Sequence, residues 1–595
     1  MDQQAPREIY LKRKENFETL LKRQKKILLY ISLLRLVVIS FSIYFLVAAL
    51  NTGIPILWVI MSMLVILFFA LVSYHKNQND RRKLLNELVL LNERELKCLD
   101  NDFKGNKHGE QFLEPDHPWS FDLDLFGEGS FFQYINRTST HAGPFYLAER
   151  LRTPNPDELE IRKRQDLIRE LASKMDLRQI YIAHAGLMDK NEEEYESMIN
   201  WAVQPVFIEE YKWTKAIAWI ISALSSTILV AGIFNPLLFQ LLIPVVFINF
   251  MLLSPFLNRT NRYQVQVSRK HRFLKTYAVL LELLTKEEFS NADLIRIKEQ
   301  CQNASKSIKK LSSLLDLFDQ RLNILVGFVL NALFLFDFFM LHRLAAWKRQ
   351  NKTELGIWLS IAGETDAFIS LAGFAYNHAA FVYPTIASDF KGIKAIELGH
   401  PMIPAARRVN NSIEIINEKV VLITGANMAG KSTFLRSLGI NMALSYAGCP
   451  VCAKEFVTGP YILYSSMRTT DSLKDEESYF FAEIKRLKKI VDLMKGGTKM
   501  LILLDEVLKG TNTTDKQKGS RGLIEKSIGH DVLCFIATHD LSLGKMEEEK
   551  KGLVINYCFE SYIHDLQLSF DYKIRPGLAK NMNASFLMKQ MGIMD

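Results

Sequence analysis

From Ile27 to Leu50 the chain is apolar except for Arg35, and after a turn at Asn51, Thr52 and Gly53 it is apolar again, without a charge, from Ile54 to Tyr74. At about 1.5 Å per residue, each run is long enough to cross a hydrocarbon core about 30 Å thick. The pair predicts a transmembrane hairpin. A cleaved signal peptide fits poorly, because a second run follows at once and no small-residue cleavage site closes the first. Lys22, Arg23, Lys25 and Lys26 precede the hairpin and Lys76, Arg81, Arg82 and Lys83 follow it. Basic residues collect on the cytoplasmic side of spans, so both ends are expected there.

The pattern recurs from Ala216 to Ile233 and from Leu237 to Leu253, broken at Asn235-Pro236 and flanked by Lys212, Lys215, Arg259 and Arg262. It predicts a second hairpin. Two later runs are read as core helices: Ile324 to Leu341, which contains Asn331 and Asp337, and Phe368 to Ile386, which contains Asn377 and His378. A lone span there would place everything downstream outside the cytoplasm. A spanning pair would leave Arg343, Lys348, Arg349 and Lys352 in an external loop, against the charge bias.

The length of 595 residues predicts about three to five units at roughly 100 to 200 residues each. The expected division is a basic cytoplasmic segment (1–26), hairpin 1 (27–74), a first helical core part (75–212), hairpin 2 (213–256), a helical lever and second core part (257–395), and an α/β domain (396–595). The net charge of +9 does not by itself point to nucleic acid, since basic collars beside spans give the same sum. Six scattered cysteines form no disulfide framework, which favours a reducing compartment. Cys449-Pro450-Val451-Cys452 lacks a second Cys or His pair at zinc-like spacing and is read as structural.

Chemistry concentrates near the C-terminus. The strand-like Val420–Thr424 leads into Gly425-Ala426-Asn427-Met428-Ala429-Gly430-Lys431-Ser432-Thr433 and then a helical stretch, which is G-x-x-x-x-G-K-[ST] between a strand and a helix. In such a loop backbone N–H groups close around phosphate oxygens, Lys431 neutralises β/γ charge, and the Ser432 hydroxyl serves Mg2+. The apolar run Met500–Leu504 ends in Asp505-Glu506, suited to the Mg2+ shell and to orienting or deprotonating water respectively. A third apolar run, Val532–Ala537, delivers His539 to the same edge, where a γ-phosphate sensor would stand. ATP and Mg2+ are the expected cofactors.

In order and spacing, GANMAGKST, SYAGCPVCA, EESYFFAEI, LLDEVLKGTNTTD and FIATHD resemble the ATPase domain of the MutS family of DNA mismatch repair proteins, over about residues 396–595. Leu125-Phe126, Ser130 to Asn136, Thr138, Thr140, Gly143, Leu151 and Pro154 look like the opening of that family's helical core. The resemblance implies an ABC-type P-loop ATPase that pairs as a homodimer, with Ser478 of one subunit approaching the γ-phosphate of the other and Asn427 inside the phosphate loop. Ala426, Ala429, Glu476 and Lys516 depart from the family pattern, the last two in segments expected near the dimer contact. No Phe-x-Glu in this chain stands in a mismatch-reading domain, and the second hairpin occupies the interval of the family's DNA clamp. The reading is a multi-pass ATPase of the cytoplasmic membrane, its partners a second copy, the bilayer and an unidentified protein, with DNA as a partner that the resemblance implies. Alternatives are an ABC-transporter-like ATPase, opposed by the absence of an LSGGQ-type signature, and a mismatch-binding repair protein tethered to the membrane.

Overall fold

The computed structural model describes residues 4–153, 156–188, 192–468, 479–508, 511–564 and 567–580. Its first two helices are far longer than the apolar runs they contain: α1 is Gln4–Thr52 and α2 is Pro55–Leu99. They pack along each other as one antiparallel pair. Arg35, the charge in the first run, turns toward α2, with its guanidinium carbon 5.5 Å from the centre of the Phe68 ring. Leu29, Tyr30, Ile66 and Phe69 are among many large apolar side chains left exposed on this pair.

The basic segment before the first run is therefore not a separate unit. It continues α1 and docks on the helical core, where the Tyr10 hydroxyl donates to Asn377 Oδ1 at 2.8 Å and Arg13 Nε donates to Gln179 Oε1 at 2.8 Å. Behind Tyr10, Asn377 Nδ2 donates to Glu95 Oε2 at 2.9 Å, and Glu95 pairs with Arg137 at 2.5 Å, all buried. A buried ion pair survives only when its remaining polar valences are met. Here the opening core segment and the last core helix meet them.

That core is built from α3 (Phe131–Ile135), α4 (Gly143–Arg152), α5 (Glu158–Ser173), α6 (Met175–Gly186) and α7 (Glu192–Val203). Next come α8 (Trp213–Phe234) and, after a 3-10 stretch at Pro236–Leu241, α9 (Leu242–Leu253). A short turn carries α9 into α10 (Leu257–Lys286), against which α11 (Ala292–Asp319) packs back. The helical part closes with α12 (Ile324–Phe334), α13 (Phe336–Asn351) and α14 (Glu354–Asn377).

Among the described residues, five helical stretches are long and apolar enough to cross a membrane: Pro6–Thr52, Pro55–Leu99, Trp213–Phe234, Pro236–Ser268 and Glu354–Asn377. In the last of these, 72% of the apolar window is buried inside the protein, against 17% or less in the other four. It belongs to the core.

The two later apolar runs differ from expectation. The Ile324–Leu341 run is not one core helix: it breaks at Leu335, whose φ is 50°, and its first half packs on α8 and α9 with Ile324, Leu325 and Phe328 exposed. The Phe368–Ile386 run is helical only to Asn377, after which the chain turns into a strand.

The α/β part begins before residue 396, which falls inside a strand. One sheet has the order β1 (Thr385–Ile386), β5 (Glu455–Thr458), β2 (Ile393–Leu398), β3 (Asn411–Ile415). The other runs β10 (Gln567–Pro576), β9 (Val554–His564), β4 (Val420–Gly425), β8 (Val532–Thr538), β7 (Met500–Asp505), β6 (Ile462–Ser466), parallel except for the edge strand β10. α15 (Lys431–Ala447), α16 (Tyr479–Lys495) and α17 (Thr513–Ile528) complete it. Strands buried on both faces read as continuous apolar runs, as β4, β7 and β8 do. One face of the large sheet shares a continuous core with the helical part, where Leu123 lies against Gly439 of α15.

Candidate nucleotide-binding site

The site forms where β4, β7 and β8 end together. The register pairs Thr424 with Thr538 and Asp505 with Ala537, so the three strands release their loops at one edge. In parallel α/β sheets this carboxyl edge is where ligands bind.

The loop after β4 is shaped by two glycines. Gly425 has φ 147°, and a Cβ there would lie 2.6 Å from the Phe559 carbonyl oxygen; Gly430 has φ 112° and immediately precedes α15. Only glycine adopts such angles without strain. No side chain caps the first turn of α15, so its leading N–H groups face the loop, a site suited to an anion. Lys431 is buried and its Nζ donates to the carbonyls of Gly425 at 2.8 Å and Ala426 at 3.0 Å. Ser432 is half-buried, whereas Asn427 and Thr433 are exposed around the rim.

The acidic pair and the histidine meet this lysine. Glu506 Oε1 lies 2.7 Å from His539 Nε2, which lies 3.3 Å from Lys431 Nζ. Glu506 sits in the left-handed region with φ 55°, and its N–H donates to the Ala537 carbonyl at 2.9 Å. That bond holds the strained residue against β8. Asp505 ends β7 half-buried beside it. The structure thus brings Gly425, Asn427, Gly430, Lys431, Ser432, Thr433, Asp505, Glu506 and His539 to one edge. Ser478 and Glu476, like Pro154 of the core opening, lie outside the described residues.

Two features were not read from the sequence. Glu483 on α16 is buried, and its Oε1 accepts the Leu508 N–H at 2.6 Å, tying α16 to the loop that follows Glu506. It stands within EESYFFAEI, but its acceptor role involves a backbone group 25 positions away. The second feature is a cavity of about 220 Å³ beside the phosphate loop, lined by His400, Arg407, Gly430, Thr433, Phe434 and Tyr572 among others. Burial pushes the His400 imidazole down to about 4, so it is neutral at pH 7.

Away from this edge, Cys449 and Cys452 are buried free thiols, and burial pushes Cys452 up to about 11. The helical core is stitched to the α/β part by Asp122, fully buried, whose Oδ2 accepts from Arg486 at 2.8 Å and from Ser465 at 2.7 Å. Through these bonds the segment before α3 touches both β6 and α16.

Residues 421–590 match the family described as MutS domain V, a span that includes the loop, the acidic pair and the histidine. Over 189 residues the chain is 34% identical to the DNA mismatch repair protein MutS of Haloquadratum walsbyi, covering 30% of this chain and 19% of that one. It is 28% identical over 250 residues to the MutS of Thermotoga maritima, covering 40% and 30%, and 32% identical over 195 residues to that of Thermotoga neapolitana, covering 32% and 24%. The chain spans less than a third of the length of these curated relatives. By this match and these relatives, residues 421–590 of the chain are of MutS type.

Proposed function

We propose that this protein is a membrane-anchored, Mg2+-dependent ATPase of MutS type, an ABC-type P-loop motor that works as a dimer through its α/β parts. The observation that carries the reading is the meeting of Lys431, Glu506 and His539 at the mouth of a loop whose two glycines and uncapped helix suit a phosphate. The residues fit nucleotide and metal. Backbone N–H groups of the loop and Lys431 would hold the phosphates, the cavity beside Thr433 would take the base, and Ser432 and Asp505 would hold Mg2+, which offsets phosphate charge. Glu506 is placed to orient and deprotonate water, and His539 positions that carboxylate and the terminal phosphate. Ser478 would reach the partner subunit's nucleotide.

The anchoring rests on the two hairpins, with exposed apolar surfaces that water would not favour and basic residues at their cytoplasmic ends. The ATPase part then faces the cytoplasm, and α10 and α11 serve as levers between it and hairpin 2. The relatives are named for DNA mismatch repair. We extend ATP handling to this chain but not lesion reading, because membrane helices stand where a clamp and a reading domain would enclose a duplex.

Equilibrium binding of an ATP analogue to the intact protein tests the site. Lys431→Ala should weaken it about tenfold or more, equivalent to about 1.4 kcal/mol; unchanged affinity would refute the assignment. Competition between matched and singly mismatched duplexes at about physiological salt tests the second point. No preference is expected, and a tenfold mismatch preference would restore lesion reading.

A further inference from the structure

The run from Ile324 was expected to be core, yet its first half is among the most exposed apolar segments of the chain. Ile324 is 86% exposed, Leu325 78% and Phe328 57%, and with Val329 they form one face at the i, i+1, i+4, i+5 spacing of a helix. Gly327, Asn331 and Ala332 of α12 are buried. At about 1.5 Å per residue α12 is about 16 Å long, half of what a span requires.

Its polar groups are met from within the protein. The last carbonyls of a helix have no partners of their own, and in hydrocarbon no water supplies them. Here hairpin 2 does: Asn249 Nδ2 on α9 donates to the Ala332 carbonyl at 2.7 Å, and Ser222 Oγ on α8 donates to the Phe334 carbonyl at 2.9 Å. At the other end the Asn323 side chain accepts the Val326 N–H. The bend after α12 is held by Asn331, which accepts the Asp337 N–H and donates to its carboxylate, and Asp337 pairs with Arg321 at 2.8 Å. Arg321 also donates to Asn261 on α10 at 2.9 Å.

Direction follows from connectivity. The helical stretch from Pro236 to Ser268 carries α9 into α10, and α11 returns antiparallel along α10 toward the hairpin. The chain then bends by 102° into α12, which lays it across the cytoplasmic end of hairpin 2. Arg259, Arg262 and Arg343 are exposed at this level, where anionic headgroups attract them.

From these observations we infer that α12 is a membrane helix lying in the cytoplasmic leaflet, its Ile324, Leu325, Phe328 and Val329 face seated among acyl chains. This rests on the anchoring by hairpin 2 proposed above. It gives the lever pair two membrane contacts, one through α9 at the root of α10 and one through α12 at the end of α11, so a rotation of the levers must drag α12 through the leaflet surface.

The test uses the full chain in phosphatidylcholine and phosphatidylglycerol nanodiscs, spin-labelled singly at Leu325→Cys, Phe328→Cys, Val230→Cys on α8 and Lys310→Cys on α11. The native cysteines are buried, which keeps background labelling low. Collision with oxygen against a water-soluble nickel chelate reads depth. Labels at 325 and 328 should favour oxygen severalfold over the label at 310, as should the label at 230 near the outer end of α8. If 325 and 328 resemble 310 while 230 stays in lipid, α12 is outside the membrane and the inference fails alone. Water-like behaviour at 230 as well would overturn the anchoring too. Shielding of 325 and 328 from both reagents would assign the face to a second copy and overturn the lipid assignment.

Discussion

Glu506 Oε1 and His539 Nε2 stand 2.7 Å apart across the ends of neighbouring strands, with Lys431 Nζ 3.3 Å beyond the same imidazole nitrogen. One histidine therefore joins the acid expected to handle water to the cation expected to handle phosphate. His539→Ala should slow ATP turnover about a hundredfold, within the usual range for a positioned acid–base partner, and leave nucleotide affinity within about threefold. Parental turnover would remove His539 from the site.

Glu483 supports this arrangement from behind by accepting the Leu508 N–H. A buried N–H left without an acceptor costs about 1 to 3 kcal/mol, and Leu508 is itself strained at φ 60°. Glu483→Ala should therefore lower kcat about tenfold with little change in nucleotide Kd, and Glu483→Gln, which keeps the acceptor, should recover most of it. Equal loss in both variants would mean that the charge, not the bond, matters.

Asp366 predicts a pH effect on stability. Burial raises its carboxyl from 3.8 to about 6, although Oδ2 accepts from Ser139 N–H, Thr140 N–H and the Thr140 hydroxyl. Because the folded value lies above the unfolded one, the contribution is fully present below about pH 4 and is lost as pH rises through about 6. Its upper size is about 3 kcal/mol. Asp366→Asn keeps an acceptor and should flatten this part of the decline in thermal unfolding of the full chain between pH 4 and 7. An unchanged slope would place the titration elsewhere.

The helical pairing of α1 with α2 was legible because two long, almost uncharged apolar runs joined by a short polar turn have few alternatives to paired helices. How far α1 and α2 extend beyond the apolar runs was not, since Lys22 to Lys26 read as a boundary although charged residues continue a helix readily. α12 was misread for a physical reason. Parity and the charge bias argued only against full spans, and a short helix that ends at a bend is a third arrangement; the groups that satisfy Asn331 and Asp337, such as Arg321, become visible only when the chain bends. The phosphate loop, acidic pair and histidine were readable because each directly follows an apolar strand. Glu483, His400 and Tyr572 were not, because their roles depend on neighbours brought in by the fold.

Topology gives a separate check. Cysteines introduced at Thr52 and Asn235, both exposed in the turns of the two hairpins, should react with an impermeant maleimide in intact cells, and one at the exposed Lys551 should react only after permeabilisation. Reaction at 551 in sealed cells would invert the orientation.

The most direct test of the account is steady-state ATP turnover by the intact protein in lipid nanodiscs, parental against Glu506→Gln. Mg2+-dependent hydrolysis by the parental protein is expected, with a loss of about a hundredfold or more in Glu506→Gln and nucleotide binding retained. No hydrolysis by the parental protein, or equal rates in the two, would contradict it.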